Sequence, residues 1–236
     1  MLLHIPHSSL CIPEEFRDTY SIDITDELNL MTDHFTDDLF IDYYGTDTLI
    51  FPISRLVCDV ERFMDDSMEE RGMGICYTKT FDGEVLRDIS NTDKDNIINT
   101  YYKSHHDHLN RWTRRTLPII PPFIVDCHSF SERMVVGMSP DFCIGANPKH
   151  TPMGIVTLIG ECLSSRGYNF CINYPFSGCV IPSDYTNSLD VKAVMIEVNR
   201  SLYLSDDYKK SNNYNNIKDT LSEIMELMDR YMFDNY

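Results

Sequence analysis

Short apolar runs alternate with longer amphipathic stretches along the chain, and this alternation predicts an α/β fold. Apolar runs of strand length predict strands at about residues 2–5, 48–51, 123–127, 142–145, 168–172 and 192–198. Apolar residues that recur at helical spacing predict helices at about residues 25–44, 94–117, 151–167 and 215–232. The strand at 123–127 is apolar almost throughout, which is typical of a strand buried on both faces.

Residues 55–87 follow neither period. This stretch contains glycine at several points and is rich in arginine, aspartate and glutamate. A loop of this length inside a compact domain is usually functional or disordered, and the charged residues favour a functional loop. Because no repeat, low-complexity tract or linker interrupts the chain, we predict a single domain over residues 1–236.

The charge balance narrows the classes of partner. The chain has 20 lysine and arginine residues against 37 aspartate and glutamate residues, which gives a formal net charge of −17. A field this negative opposes the binding of nucleic acid or of an anionic membrane, but it is compatible with a local basic pocket for a small anion. We therefore expect a small-molecule partner, no nucleic acid and no membrane. The sequence leaves the oligomeric state open.

Targeting features favour the cytoplasm. No apolar run is long enough to span a membrane, and the first residues lack the basic region and the apolar length of a signal peptide. The 8 cysteines include no C-x-x-C pair, and several lie in apolar runs. We expect them to be reduced, buried thiols of a cytoplasmic protein.

Three predicted strands lead into polar residues that suit a metal-dependent hydrolase. His7 follows the first strand, Asp126-Cys127-His128-Ser129 follows the apolar part of the third, and Glu197 follows the apolar part of the last. Ligands bind outside the carboxyl ends of strands in α/β sheets, so these residues are candidates for one site. Two histidines with a carboxylate match a catalytic zinc site, in which a nearby glutamate acts as general base. Structural histidines, and an ion pair between Glu197 and an arginine such as Arg200, are the alternatives.

The segment at residues 54–63 adds charged residues of both signs. If the segment is extended, alternation places Asp59 and Glu61 on one face, where either could supply an oxygen ligand to a metal. The guanidinium groups of Arg55 and Arg62 suit the binding of a substrate carboxylate. A surface salt-bridge cluster is the alternative.

Several further histidines receive no definite role. His105 and His108 share a face of their predicted helix while His106 points elsewhere, so the three cannot line one site together. These histidines could belong to a metal cluster, but the pattern is not specific for one. Neither His34 nor His150 gains a role from pattern, although His150 precedes a helix start that could bind an anion.

A series of segments, taken in order, resembles the N-formylglutamate amidohydrolase family. The resemblance extends from residue 4 to about residue 203. Its segments are HIPHSS, TDHFTDDLF, SRLVCDVERFMDD, GMGICYTKTFDG, LR, YYKSHHDHL, DCHSF, PDFCIGANPKHTP, NYPFSGCVIP and VMIEVNRSLY.

This resemblance implies a fold and an activity. The implied fold is phosphorylase/hydrolase-like, a three-layer α/β/α arrangement with a mixed central sheet, related to the zinc carboxypeptidases. The implied activity is hydrolysis of a non-peptide C–N bond in an N-acyl amino acid, with N-formyl-L-glutamate converted to formate and glutamate. A zinc peptidase, a hydrolase of another N-acyl amino acid, and a non-catalytic binding protein that kept the fold are the alternatives.

The resemblance also implies a metal site. The expected metal is zinc, held by His7, His128 and a third ligand. The segment DVER at 59–62 is similar to the Asp-x-Asn-Arg motif of related acyl-amino-acid hydrolases, which ranks Asp59 ahead of Glu61 and His4 as the third ligand. The chain departs from the carboxypeptidases, because it lacks their H-x-x-E ligand pair.

The remaining predicted site residues take part in the reaction or bind the substrate. Glu197 is similar in placement to the catalytic glutamate of the zinc carboxypeptidases. The expected substrate-binding residues are Arg55, Arg62, Arg87, Arg200 and Ser129.

Overall fold

The computed structural model describes residues 1–41 and 46–236, and the chain divides into two compact units. The unit that we call the sheet unit comprises Met1–Ile5, Phe35–Leu49 and Asn110–Tyr236. The unit that we call the loop unit comprises Pro6–His34 and Ile50–Leu109. The single domain over residues 1–236 therefore stays a prediction. None of the described helices combines the length and apolar character needed to cross a membrane.

The strands lie close to the predicted positions. They are β1 (Leu2–Ile5), β2 (Asp47–Ile50), β3 (Phe123–Phe130), β4 (Phe142–Gly145), β5 (Phe170–Ile172) and β6 (Lys192–Asn199). Their order across the sheet is β2-β1-β3-β6-β4-β5. Strand β3 is parallel to β1 and β6, β5 is parallel to β4, and β4 is antiparallel to β6. This mixed sheet, which has six strands among the described residues, confirms the predicted α/β class.

The helices are α1 (Glu14–Arg17), α2 (Thr25–Met31), α3 (Thr36–Leu39), α4 (Asn91–Ile97), α5 (Lys103–Thr116), α6 (Met153–Ser165) and α7 (Tyr214–Asn235). A π turn at Ile98–Tyr102 joins α4 to α5, so the helix predicted at 94–117 is one helical stretch with a local change of pitch. Gly167 follows α6 with a φ of 85°, a left-handed conformation that favours glycine and ends the helix.

The helix predicted at residues 25–44 is wrong in its middle. The backbone leaves the helix at Thr32, whose ψ is 133°, and Phe35 has a left-handed φ of 62° before α3 begins. Apolar residues on both sides of the break are buried, so the apolar period continues across it and gives no sign of it. Residues 42–44 of the predicted helix lie outside the described residues.

Alternate residues of the sheet strands face an apolar core that includes α6 and α7. The strand residues in this core are Leu3, Ile5, Phe123, Val125, Cys127, Phe142, Ile144, Val194, Ile196 and Val198. Because side chains alternate along a strand, the residues between them lie on the opposite face. Asp126, His128 and Glu197 are among these, so the polar candidates lie on the sheet face opposite this core.

The loop unit has an apolar core of its own. Residues 55–87 contain turns and a 3-10 turn at Ser67–Glu69, as predicted for a long loop. The core residues are Phe16, Phe51, Ile53, Val57, Cys58, Val60, Ile75, Cys76, Ile89 and Ile97. Packing of these side chains, rather than regular secondary structure, orders the long loop.

Asp38 links α3 to α7. Its carboxylate accepts hydrogen bonds from Lys210, from Lys218 (2.9 Å) and from the Tyr214 hydroxyl (2.9 Å). The hydrogen bonds from Lys210 and Lys218 hold the pKa of Asp38 well below its usual value of about 3.9. The ionised form of Asp38 is therefore favoured in the folded state.

Replacing Asp38 tests this link. Since folding lowers the pKa of Asp38, its contribution to stability is present above about pH 3.9 and is lost as the pH falls below that value. Asp38→Asn should thus reduce the free energy of unfolding in urea more at pH 7 than at pH 3. Because Asp38 is 43% exposed, high salt should shrink the difference at pH 7. Asp37→Asn, at an exposed position of the same helix, is the control. If Asp38→Asn lowers the free energy of unfolding equally at pH 7 and at pH 3, the role assigned to Asp38 is wrong.

Candidate active site

The sheet unit places two predicted site residues side by side. His128 on β3 is the register partner of Glu197 on β6, and both are buried. His128 lies within its strand, because β3 continues past the predicted end at residue 127 to Phe130. Glu197 lies within β6, as the strand predicted at 192–198 implies. A polar side chain on one face of a sheet does not interrupt backbone pairing, so the strands run on past both residues.

Asp126 orients two histidines in the sheet unit. Its Oδ1 lies 2.8 Å from His4 Nδ1 and 3.0 Å from His128 Nε2, and its Oδ2 accepts the backbone N–H of Val180 (2.8 Å). Burial alone would raise the pKa of Asp126, but His128 and His4 hold it well below its usual range. Since a carboxylate only accepts hydrogen bonds, the two ring nitrogens facing it carry protons. In a neutral ring, His128 then keeps a lone pair on Nδ1.

Arg200 and Ser129 are also brought together in the sheet unit. Arg200 donates Nε to the Ser129 hydroxyl (3.1 Å) and Nη2 to the Ser129 carbonyl (3.1 Å). Asn199 begins the 3-10 turn Arg200–Leu202, and its side chain accepts the backbone N–H of Ser201 (3.0 Å). This cap fixes the backbone from which the buried Arg200 projects.

Asp59 is a fully buried carboxylate of the loop unit. Its Oδ1 lies 2.9 Å from His7 Nε2 and accepts the backbone N–H of Glu61 (3.0 Å). Its Oδ2 accepts hydrogen bonds from Arg55 Nη2 (2.7 Å), Arg55 Nε (3.2 Å) and the Tyr77 hydroxyl (2.9 Å). Burial alone would raise the pKa of Asp59, but Arg55 and His7 hold it well below its usual range. Asp59 is thus a charged hydrogen-bond acceptor at neutral pH.

His7 and Asp33 form a candidate ligand pair in the loop unit. Because Asp59 accepts from Nε2, the neutral ring of His7 keeps a lone pair on Nδ1. This Nδ1 lies 3.7 Å from Asp33 Oδ2, and both side chains are 2% exposed. An imidazole nitrogen beside a carboxylate oxygen is a donor set that zinc accepts. Asp33 was not among the predicted ligands, although it lies in the TDHFTDDLF segment of the family resemblance.

The segment at 54–63 is not extended, as the predicted alternation required. Residues 55–57 and 60–61 lie in turns, so strand alternation does not place Asp59 and Glu61 on one face. Asp59 is fully buried, whereas Glu61 is partly exposed. Hydrogen bonds from Val57 and Cys58 N–H to the carbonyl of Ser54 (2.9 and 3.2 Å) bend the chain here.

Three predicted substrate-binding arginines of the loop unit differ in their exposure. The side chain of Arg62 is 23% exposed and that of Arg55 is 12% exposed, whereas Arg87 is buried. Arg55 is bound to Asp59, while Arg62 lies 3.6 Å from Asp59 Oδ2 and donates Nε to the carbonyl of Met73 (3.2 Å). Arg62 therefore has the most accessible of these three side chains.

Arg87 joins two parts of the loop unit. It donates Nε to the carbonyl of Tyr77 (2.7 Å) and Nη2 to the carbonyl of Val57 (3.0 Å), and its Cζ lies 5.2 Å from the ring centroid of Tyr20. These contacts favour a structural role beside Asp59. Its role in substrate binding stays a prediction.

The remaining histidines make local contacts. The ring of His105 packs edge-on against Phe51, His106 Nε2 lies 3.0 Å from the carbonyl of Val60, and His108 is exposed. Among the described residues, no group of candidate metal ligands includes these three histidines. His150 has its ring nitrogens 3.0 Å and 3.2 Å from backbone carbonyls, which indicates a structural role.

Comparison with known proteins bears on the sequence resemblance. The sequence model of the N-formylglutamate amidohydrolase family matches residues 1–204, which confirms the resemblance over most of the chain. No curated protein sequence was found to match.

Two solved structures share the fold. N-formylglutamate amidohydrolase from Ralstonia eutropha JMP134 is 18% identical, with a TM-score of 0.88, over 100% of this chain and 94% of that chain. Gene product Atu2144 from Agrobacterium tumefaciens is 16% identical, with a TM-score of 0.73, over 98% of this chain and 90% of that chain. At these identities the likeness establishes the fold.

The structural role of Arg87 can be measured. Arg87→Met should lower the free energy of unfolding by about 3 kcal/mol, because it leaves the buried carbonyls of Tyr77 and Val57 without their charged donor. Urea unfolding of the metal-free protein gives this value without reference to activity. Arg71→Met, at an exposed position of the same loop, should change stability little. A loss as small as that of the control would contradict the assignment.

Proposed function

Since the chain belongs to the N-formylglutamate amidohydrolase family, whose members hydrolyse C–N amide bonds, we propose that it converts N-formyl-L-glutamate to formate and L-glutamate with the help of zinc. The observation that supports this most directly is the register of β3 and β6, which sets the buried carboxylate of Glu197 beside His128. A general base beside a candidate metal ligand is the arrangement that metal-assisted hydrolysis requires.

The proposed ligands follow from the sequence and from the contacts within each unit. We retain His7 and His128 as metal ligands, since each has Nε2 against a buried aspartate and can present Nδ1 to a metal. For the third ligand we favour Asp33, whose Oδ2 lies 3.7 Å from His7 Nδ1. Asp59 is less suited, because both of its oxygens already accept hydrogen bonds.

In the proposed reaction, Glu197 transfers a proton from water to the leaving amine. Zinc, when bound, lowers the pKa of a water molecule to about 7 and polarises a carbonyl group. Glu197 takes a proton from the attacking water as the oxygen adds to the formyl carbon. It then gives this proton to the amide nitrogen as the C–N bond breaks, which releases formate and the amino group of glutamate. Its place within a paired strand fixes the backbone from which the carboxylate projects.

The substrate class follows from local charge. A protein with a net charge of −17 can bind a dicarboxylate only where cations gather locally. In the loop unit, Arg55 and Arg62 lie 2.7 Å and 3.6 Å from Asp59 Oδ2. These two arginines form such a local group of cations. We assign Arg62 to a substrate carboxylate, at about 1.5–3 kcal/mol per charged hydrogen bond. Arg55, Arg200 and Ser129 are the further proposed binding residues.

We also propose that the protein is cytoplasmic. A cytoplasmic location agrees with the free thiols of the cysteines. A hydrolase of another N-acyl amino acid would use the same residues, and activity against formyl, acetyl and succinyl substrates separates the two. A non-catalytic binding protein is disfavoured, because His7, His128, Glu197 and Arg62 are all present.

Glu197→Gln tests the proposed general base. The amide keeps the size of the side chain but cannot take a proton, so formate release from N-formyl-L-glutamate should fall by about 10²–10⁴-fold. Zinc content should stay at the parent level, whereas His128→Ala should lose zinc. Glu161→Gln, at an exposed position of α6, is the control and should match the parent. Parent-like turnover by Glu197→Gln would remove Glu197 from the mechanism.

A further inference from the structure

Asp59 divides its two oxygens between two kinds of partner. Oδ1 lies 2.9 Å from Nε2 of His7, a proposed metal ligand. Oδ2 accepts both hydrogen bonds of the Arg55 fork and lies 3.6 Å from Nε of Arg62, the proposed substrate-binding arginine. One buried carboxylate therefore contacts residues assigned to the metal and residues assigned to the substrate.

We propose that Asp59 is a positioning residue that holds His7 in place for the metal and Arg55 and Arg62 in place for the substrate carboxylate. This inference rests on the proposed function. It gives Asp59 a role different from the metal ligand that the sequence predicted, because the same carboxylate serves both groups of residues.

The geometry of a carboxylate joins the two sets of contacts. Its oxygens belong to one rigid plane, so a rotation that breaks the Oδ1 contact with His7 also disturbs the Oδ2 contacts with Arg55. The backbone N–H of Glu61 donates to Oδ1 and the hydroxyl of Tyr77 donates to Oδ2, so each oxygen has a further donor. Burial raises the pKa of Tyr77 to about 12, so its hydroxyl remains a donor at neutral pH.

The backbone around Asp59 is fixed as well. Arg87 binds the carbonyl of Val57, two residues before Asp59, and the carbonyl of Tyr77, which donates to Asp59. The backbone N–H of Asp59 donates to the carbonyl of Ile75 (2.8 Å). Asp59 is thus held independently of any ligand, as expected for a residue that orients others.

Electrostatics gives Asp59 a further effect on the arginines. Its buried negative charge lies close to two guanidinium groups. Leaving such cations unpaired would cost free energy of folding. Without that charge, Arg55 and Arg62 would repel each other and the Arg55 fork would lose its partner. A displaced Arg62 would bind a carboxylate less well, and a rotated His7 would bind a metal less well.

Asp59→Asn tests the proposal through two binding measurements that do not depend on turnover. Zinc affinity, measured by competition with a chromophoric chelator, should fall by about 10–100-fold, with one site per chain retained. Glutarate affinity, measured by calorimetry on the metal-free protein, should also fall, by about tenfold. Because no metal is present in the second measurement, that loss cannot follow from lost zinc.

Three matched variants separate the two effects. Asp33→Asn should weaken zinc binding alone, and Arg62→Gln should weaken glutarate binding alone. Asp66→Asn, which alters a cap in the same loop, should change neither affinity. If Asp59→Asn does not fold, Tyr77→Phe removes one hydrogen bond to Asp59 and should weaken both affinities by smaller factors in the same direction.

The outcomes distinguish this inference from the proposed function. If folded Asp59→Asn keeps either affinity at the parent level, Asp59 does not position both groups. If the variant loses its zinc site altogether, as His128→Ala should, Asp59 is itself a ligand and the inference is also wrong. If the parent protein binds no zinc and releases no formate, the proposed function fails and the inference falls with it.

Discussion

In each unit, a buried aspartate that must be compensated by hydrogen-bond donors holds the side chains of the candidate site. In the loop unit, the carboxylate of Asp59 is compensated by Arg55, His7 and Tyr77. In the sheet unit, Asp126 is compensated by His4 and His128. Leaving either charge unpaired would be strongly destabilising, so the surrounding side chains are held in fixed positions. The proposed metal ligands His7 and His128 are fixed in this way, which links folding to the chemistry that we propose.

The sheet, the class of fold and the family could be predicted from the sequence, whereas the local structure around the site could not. Strands β1 and β4 were predicted at their observed bounds, because short apolar runs in the sheet core leave a strong signal. The break at Thr32 and the turns around Asp59 depend on tertiary hydrogen bonds, such as that from Asp33 N–H to the His7 carbonyl. The sequence therefore located the segment of Asp33 without revealing its side chain as a candidate ligand.

An acidic protein can bind the anionic substrate that we propose. The net charge of −17 is a property of the whole chain, but binding depends on the few groups that face the ligand. Arg55 and Arg62 lie close to one buried carboxylate, and Arg62 keeps part of its side chain accessible. Recognition of a carboxylate and activation of water would thus be performed by different side chains, which allows substrate range to change while the chemistry is retained.

The most direct test is elemental analysis of the purified parent protein together with formate release from N-formyl-L-glutamate, before and after chelation. We expect about one zinc ion per chain and formate release that chelation abolishes and zinc restores. Formate release that persists at the parent rate after the metal is removed would contradict a metal-dependent mechanism. Absence of both metal and formate release after incubation with zinc would contradict the proposed function.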